Sequence, residues 1–125
     1  MTLRTVGSTR ILIVDDDRGF RHAIGTLLQE AGHHVAQAAD GRSALDALGR
    51  EAFDVLLLDV GLPDMSGLDV LAAAQHLEAL PRVVMTTADD TPETLLKAIR
   101  GQADRYITKP FAPGAILQVV DQVLE

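Results

Sequence analysis

The run from Phe53 to Asp59 (FDVLLLD) limits what this chain can become more than any other segment. It is apolar on both of its faces, which is the pattern of a strand in the middle of a parallel sheet, covered by helices above and below. It ends in a carboxylate. A Gly/Pro/Ser loop follows, and Val70, Leu71 and Ala74 then resume helical spacing.

The same alternation recurs along the chain. Arg10 to Asp15 (RILIVD) is β-branched and too short for a helix, and Phe20, Ile24, Leu27, Leu28 and Ala31 then recur at helical intervals up to Gly32. A weaker strand at His34 to Ala38 leads through Asp40 and Gly41 into a short helix carrying Ala44, Leu45 and Leu48. Arg82 to Thr87 (RVVMTT) reads as the fourth strand. Thr91, Pro92 and Glu93 supply a capping hydroxyl, a proline at the first helical position and an early acid for a helix to about Arg100. Asp104 to Thr108 (DRYIT) gives the fifth strand, and Ile116, Val119, Val120 and Val123 mark the last helix. Five strands alternating with five helices predict an α/β fold, a doubly wound parallel sheet with right-handed crossovers. No linker or repeat divides the 125 residues, so residues 10–125 are expected to form one domain behind a tail at 1–9.

Composition removes several function classes. A net charge of -7 makes direct binding to nucleic acid or to anionic lipid unfavourable. With no cysteine there is no disulfide, thiol or Cys-zinc chemistry, which fits a reducing, cytoplasmic location. Met1 to Arg10 has no apolar signal region, and no apolar run approaches the roughly 18 residues that span a membrane. His22, His33, His34 and His76 are scattered and read as partly exposed side chains, with His33 and His34 on opposite strand faces; Met65 and Met85 read as loop and core filler.

Ligands of open parallel sheets bind outside the carboxyl ends of the strands. The polar residues fall there. The first strand ends in Asp15, Asp16 and Asp17, the third in Asp59, the fourth in Thr86 and Thr87, and Lys109 follows the fifth. An Asp triplet before a helix is ordinarily a solvated cap, and a loop lysine is ordinarily a surface one. Neighbouring strands, however, bring Asp59 to the Asp15–Asp16 pair, and clustered carboxylates must take up protons or hold a cation. An all-oxygen set with few protein ligands favours Mg²⁺ over Ca²⁺. A carboxylate beside that ion can act as a nucleophile toward phosphorus, with Lys109 neutralising charge on the transferring oxygens.

The segments ILIVDDD, LLLDVGLPDMSG, VVMTTA and YITKPF, in this order over nearly the whole chain, resemble the signatures of the response-regulator receiver family of two-component signalling. The resemblance implies a flavodoxin-like sheet of order 2-1-3-4-5. It implies that Asp59 accepts a phosphoryl group from a sensor histidine kinase or phosphotransfer protein. Asp16, Asp59 and the Gly61 carbonyl would ligate Mg²⁺, with Asp15 acting through water. Thr87 would be the switch hydroxyl and Tyr106 the switch aromatic, which turns inward and alters the surface of the fourth helix, fifth strand and fifth helix. The Lys109–Pro110 peptide is expected to be cis. An output domain or a separate target would read the change, and a phosphorylation-dependent homodimer is compatible with it.

Three positions depart from the family pattern. Gly101 followed by Gln102 stands where a helix-ending Gly is usual, so that end is expected to be capped one residue early or strained. Gly61 and Asp89 occupy positions that influence how long the phosphoryl group survives, and the last helix lacks an Arg-rich ending. Pro63 is read as stiffening the acceptor loop and Gly67 as permitting unusual backbone angles. Of the alternatives, an aspartyl-phosphate phosphatase would carry a second Asp where Gly61 stands. A dinucleotide-binding module would carry GxGxxG where this chain has DDD, and a degenerate, phosphate-independent interaction domain would have lost part of the Asp15, Asp16, Asp59, Thr87, Lys109 set.

Overall fold

The computed structural model describes residues 9–89 and 91–125. Its elements alternate as β1 (Arg10–Val14), α1 (Arg18–Glu30), β2 (His34–Ala38), α2 (Gly41–Arg50), β3 (Val55–Asp59), α3 (Gly67–Ala74), β4 (Arg82–Thr87), α4 (Pro92–Arg100), β5 (Arg105–Thr108) and α5 (Pro113–Leu124). The strands form one parallel sheet in the order β2-β1-β3-β4-β5. Most of the tail read at 1–9 lies outside the described residues. Thr9 is described; it is buried, and its carbonyl accepts the His34 N–H at the foot of β2.

Every residue of β3 is buried, as a run apolar on both faces requires, and alternate residues feed two separate cores. On one side Leu12, Val14, Leu56, Leu58, Val83 and Met85 meet Ala44 and Leu48 of α2, Val70 and Leu71 of α3 and Ala98 of α4. On the other, Ile11, Ile13, Val55, Leu57 and Val84 meet Ile24 and Leu28 of α1 and Ile116, Val120 and Val123 of α5. Each fully buried aliphatic side chain stabilises the fold by about 1.5–3 kcal/mol relative to exposure. Phe53 and Asp54, read as part of the third strand, precede it; Phe53 is buried, while the Asp54 carboxylate accepts the Arg10 N–H at 2.8 Å. His33 lies one residue before β2 and so on neither of its faces, which corrects the reading of the pair.

Two helix ends share one geometry with different residues. After α1, Gly32 has φ 98°, with N–H bonds from Gly32 to Gln29 O and from His33 to Leu28 O. After α4, the bonds run from Gln102 to Ile99 O and from Ala103 to Ala98 O, and Gln102 itself takes φ 70°. Both are Schellman closures, which need a left-handed residue just past the cap. The strained alternative is therefore the one found. Gly101 cannot easily be larger, since a Cβ there would lie 2.6 Å from a Leu71 methyl. Gln102→Gly is expected to raise stability by roughly 0.5–1 kcal/mol, read as a shift in urea midpoint at constant slope.

Candidate functional site

Sheet register assembles the carboxylates. β1 pairs with β3 through Val14 and Leu58, so Asp15 and Asp59 leave adjacent strands side by side at the point where the strand order reverses. Asp15 is 1% exposed and Asp59 7%, whereas Asp16 faces solvent. One carboxylate oxygen from each of Asp15, Asp16 and Asp59 lies within 4.8 Å of the others. Asp17, the third of the triplet, is the N-cap of α1 and accepts the Phe20 N–H, so the helix-capping reading is right for that residue alone.

Lys109 approaches from the loop after β5, where its own N–H donates to Thr87 O and its peptide to Pro110 is cis. Its Nζ lies 2.5 Å from Asp15 Oδ2 and 3.5 Å from Asp59 Oδ2. Burial works to lower the Lys109 pKa, but the Asp15 hydrogen bond and the two negative charges outweigh it, and the ammonium titrates above its usual range. Burial pushes the Asp59 carboxyl above its usual range and the Asp15 charge adds to this, with Lys109 and the Gly61 N–H opposing. Buried carboxylates whose charge one ammonium does not fully offset form a donor set suited to a small, hard cation.

Thr86 pairs with Asp59 across β3 and β4, and Thr87, also buried, ends β4 with its hydroxyl accepting the Asp89 N–H at 2.9 Å. Tyr106 is half-buried against the core beneath α2, α3 and α4, and its hydroxyl donates to the Asp89 carbonyl at 2.7 Å. Gly61 is exposed at the start of the loop that follows Asp59.

That loop folds back on itself. Gly61 bridges Ser66, and the Gly67 N–H donates to Val60 O. The expectation that Gly67 serves unusual backbone angles is corrected: among the described glycines only Gly32 has positive φ. Gly67 is needed because a Cβ would fall 2.8 Å from the Asp59 carbonyl carbon and 2.9 Å from Val60 Cα. Asp64 was not singled out from the sequence, yet its two carboxylate oxygens accept the N–H groups of Gly41 and Arg42, which start α2. Those hydrogen bonds, the Gly41 one first, hold its carboxyl below the usual range. Met65 is more than loop filler, since its Sδ sits 2.6 Å from where a Gly41 Cβ would be. Asp89 was read only for its position; its carboxylate also accepts from Thr91 N–H and Thr94 Oγ1 at the start of α4. No local pattern announces the Asp64 and Met65 contacts, because they join the β3–α3 loop to the start of α2, segments that only the folded sheet brings together, whereas the Asp89 carboxylate contacts stay within five residues of it.

The response regulator receiver domain family matches residues 11–121. The chain is 34% identical over 120 residues to the chemotaxis protein CheY of Pseudomonas aeruginosa, covering 93% of this chain and 96% of that one. It is 38% identical over 102 residues to the probable transcriptional regulatory protein TcrX of Mycobacterium tuberculosis, covering 82% of this chain but 44% of that one, so it spans under half of such longer relatives. The Mg²⁺–BeF complex of the response regulator TrrA from Thermotoga maritima superposes with a TM-score of 0.82 at 28% identity, covering 92% of this chain and 98% of that one. Order of strands, the acidic cluster at their ends and the extent of these matches agree, and the chain belongs to the response regulator receiver family.

Proposed function

We propose that this domain is a phosphorylation switch in which Asp59 takes a phosphoryl group from the phosphorylated histidine of a sensor kinase or phosphotransfer protein. The observation that carries the reading is the Asp15, Asp16, Asp59 cluster with the Lys109 ammonium 3.5 Å from Asp59. The donors are all oxygens, and Asp15, Asp16, Asp59 and the Gly61 carbonyl would hold Mg²⁺. When bound, that ion neutralises charge on the phosphoryl oxygens. The protein's own residues do the rest. Asp59 supplies the attacking oxygen, and Lys109, now held mainly by Asp15, moves to pair with a phosphoryl oxygen. The Thr87 hydroxyl turns to another, releasing the Asp89 N–H. Because Tyr106 is bonded to that same Asp89, the rearrangement reaches the surface of α4, β5 and α5, which an output domain or target reads. The domain is a signalling element whose only catalysis is of its own phosphorylation and dephosphorylation. We place it in the cytoplasm, on its lack of cysteine. No helix among the described residues is long and apolar enough to cross a membrane.

The test is intact mass after incubation with acetyl phosphate, with and without Mg²⁺, on the wild type and on Asp59→Asn. One phosphoryl adduct that requires both Mg²⁺ and Asp59 is expected. An adduct that forms without Mg²⁺ or survives in Asp59→Asn, or a wild type that neither forms one nor binds beryllofluoride, overturns the proposal.

A further inference from the structure

We infer that Phe20 is a positioning residue for Lys109, holding the ammonium over its ring face within reach of the Asp59 phosphoryl group; the inference rests on Asp59 as the acceptor. Lys109 Nζ lies 4.3 Å from the Phe20 ring centroid, in addition to its two carboxylate contacts. The ring is itself fixed. Phe20 stands in the first turn of α1, where its N–H donates to the Asp17 cap, and its ring meets Phe111 edge-on at 5.9 Å and 81°. Phe111 is two residues past Lys109, so the aromatic pair ties α1 to the loop that carries the lysine.

The chemistry explains why a ring is useful there. A lysine has a flexible four-carbon stem and a compact charge, and this one rests nearer Asp15 than Asp59, so its head must be kept from swinging further from Asp59. A ring face attracts the ammonium through its quadrupole without cancelling its charge, and it keeps water from one side of the group. The ring therefore limits how far the head can swing, leaving it charged and within 3.5 Å of Asp59 for the phosphoryl oxygens. A leucine at position 20 would fill much of the same space and continue the apolar spacing of α1, but it would supply no such attraction.

Two measurements test this on the intact chain. In the NMR spectrum of the wild type, the Lys109 Cε methylene protons are expected upfield of ordinary lysine positions through the Phe20 ring current. The shift persists in Phe20→Tyr and is lost in Phe20→Leu. In acetyl phosphate kinetics at saturating Mg²⁺, the rate of adduct formation is expected to fall about three- to tenfold in Phe20→Leu, the size of one partly desolvated cation–π contact, and to stay near wild type in Phe20→Tyr. Wild-type Lys109 protons at ordinary positions overturn the inference without any variant being needed. So does a Phe20→Leu rate within twofold of wild type, or a Phe20→Tyr rate as slow as Phe20→Leu, since the latter would make the contact one of shape alone. If the wild type takes no adduct, the acceptor reading falls and this inference with it; if the wild type is phosphorylated and Phe20→Leu keeps pace, only this inference falls.

Discussion

Gly67→Ala is expected to destabilise the domain by roughly 3 kcal/mol and to remove detectable Mg²⁺ binding. The new Cβ would meet the Asp59 carbonyl carbon at 2.8 Å and Val60 Cα at 2.9 Å, with the Asp59 carbonyl oxygen closer still. All of these are backbone atoms, so no rotamer change relieves the contact. Relief requires α3 to back away from the end of β3, and that motion carries the β3–α3 loop with it. Thermal melts check the first part, where roughly 3 kcal/mol in a domain of this size is about 10 °C. Calorimetric titration with Mg²⁺ checks the second. Near-wild-type stability with intact metal affinity would show that the loop absorbs the methyl elsewhere.

Asp59→Asn is expected to stabilise the metal-free protein while reducing its response to Mg²⁺. Burial raises the Asp59 pKa above the ordinary 3.8, so over the interval between the unfolded and folded values the folded state binds more protons than the unfolded one. Stability then falls as pH rises through that interval, and above it the full penalty of a buried charge remains. Asparagine removes the charge and keeps an oxygen to accept the Gly61 N–H, so the variant should lose this pH slope and melt several degrees higher at neutral pH without metal. Saturating Mg²⁺ reverses the order. A ligand at a hundredfold excess over its Kd stabilises by about 2.7 kcal/mol, which the wild type should gain and the variant largely lack. Melts between pH 4 and 8, with Mg²⁺ or with a chelator, separate the two; a metal-free variant no more stable than the wild type would mean that Lys109 already offsets the burial of Asp59.

What the sequence disclosed, and what it hid, divides by the range of the interaction. Strand and helix placement was legible because β3 is buried on both faces and its neighbours repeat the alternation of short apolar runs with helical spacing. The strand ends followed, since Asp15, Asp59, Thr87 and Lys109 each close or follow a strand. Two kinds of information were missing. One is the difference between conformational and steric demand for glycine: Gly67 and Gln102 both stand out in the sequence, but only the fold reveals that the first is needed for close approach and the second bears the positive φ. The other is side-chain reach across the fold. Phe20 fits the apolar rhythm of α1 well enough to pass for core, and nothing in its neighbourhood in the chain announces a lysine 89 positions later; only the adjacency of α1 and the β5–α5 loop makes the contact.

The carboxylate of Asp64 ties the amides of Gly41 and Arg42 to the β3–α3 loop, and this turns the beginning of α2 into a reporter on that loop. The first amides of a helix have no partner inside it and normally exchange with solvent quickly. Here two of them are closed by a side chain five residues past Asp59, so their protection from hydrogen exchange depends on where that loop sits. Any event that displaces the loop would be recorded as faster deuteration at the start of a helix that does not itself contribute a residue to the acidic cluster.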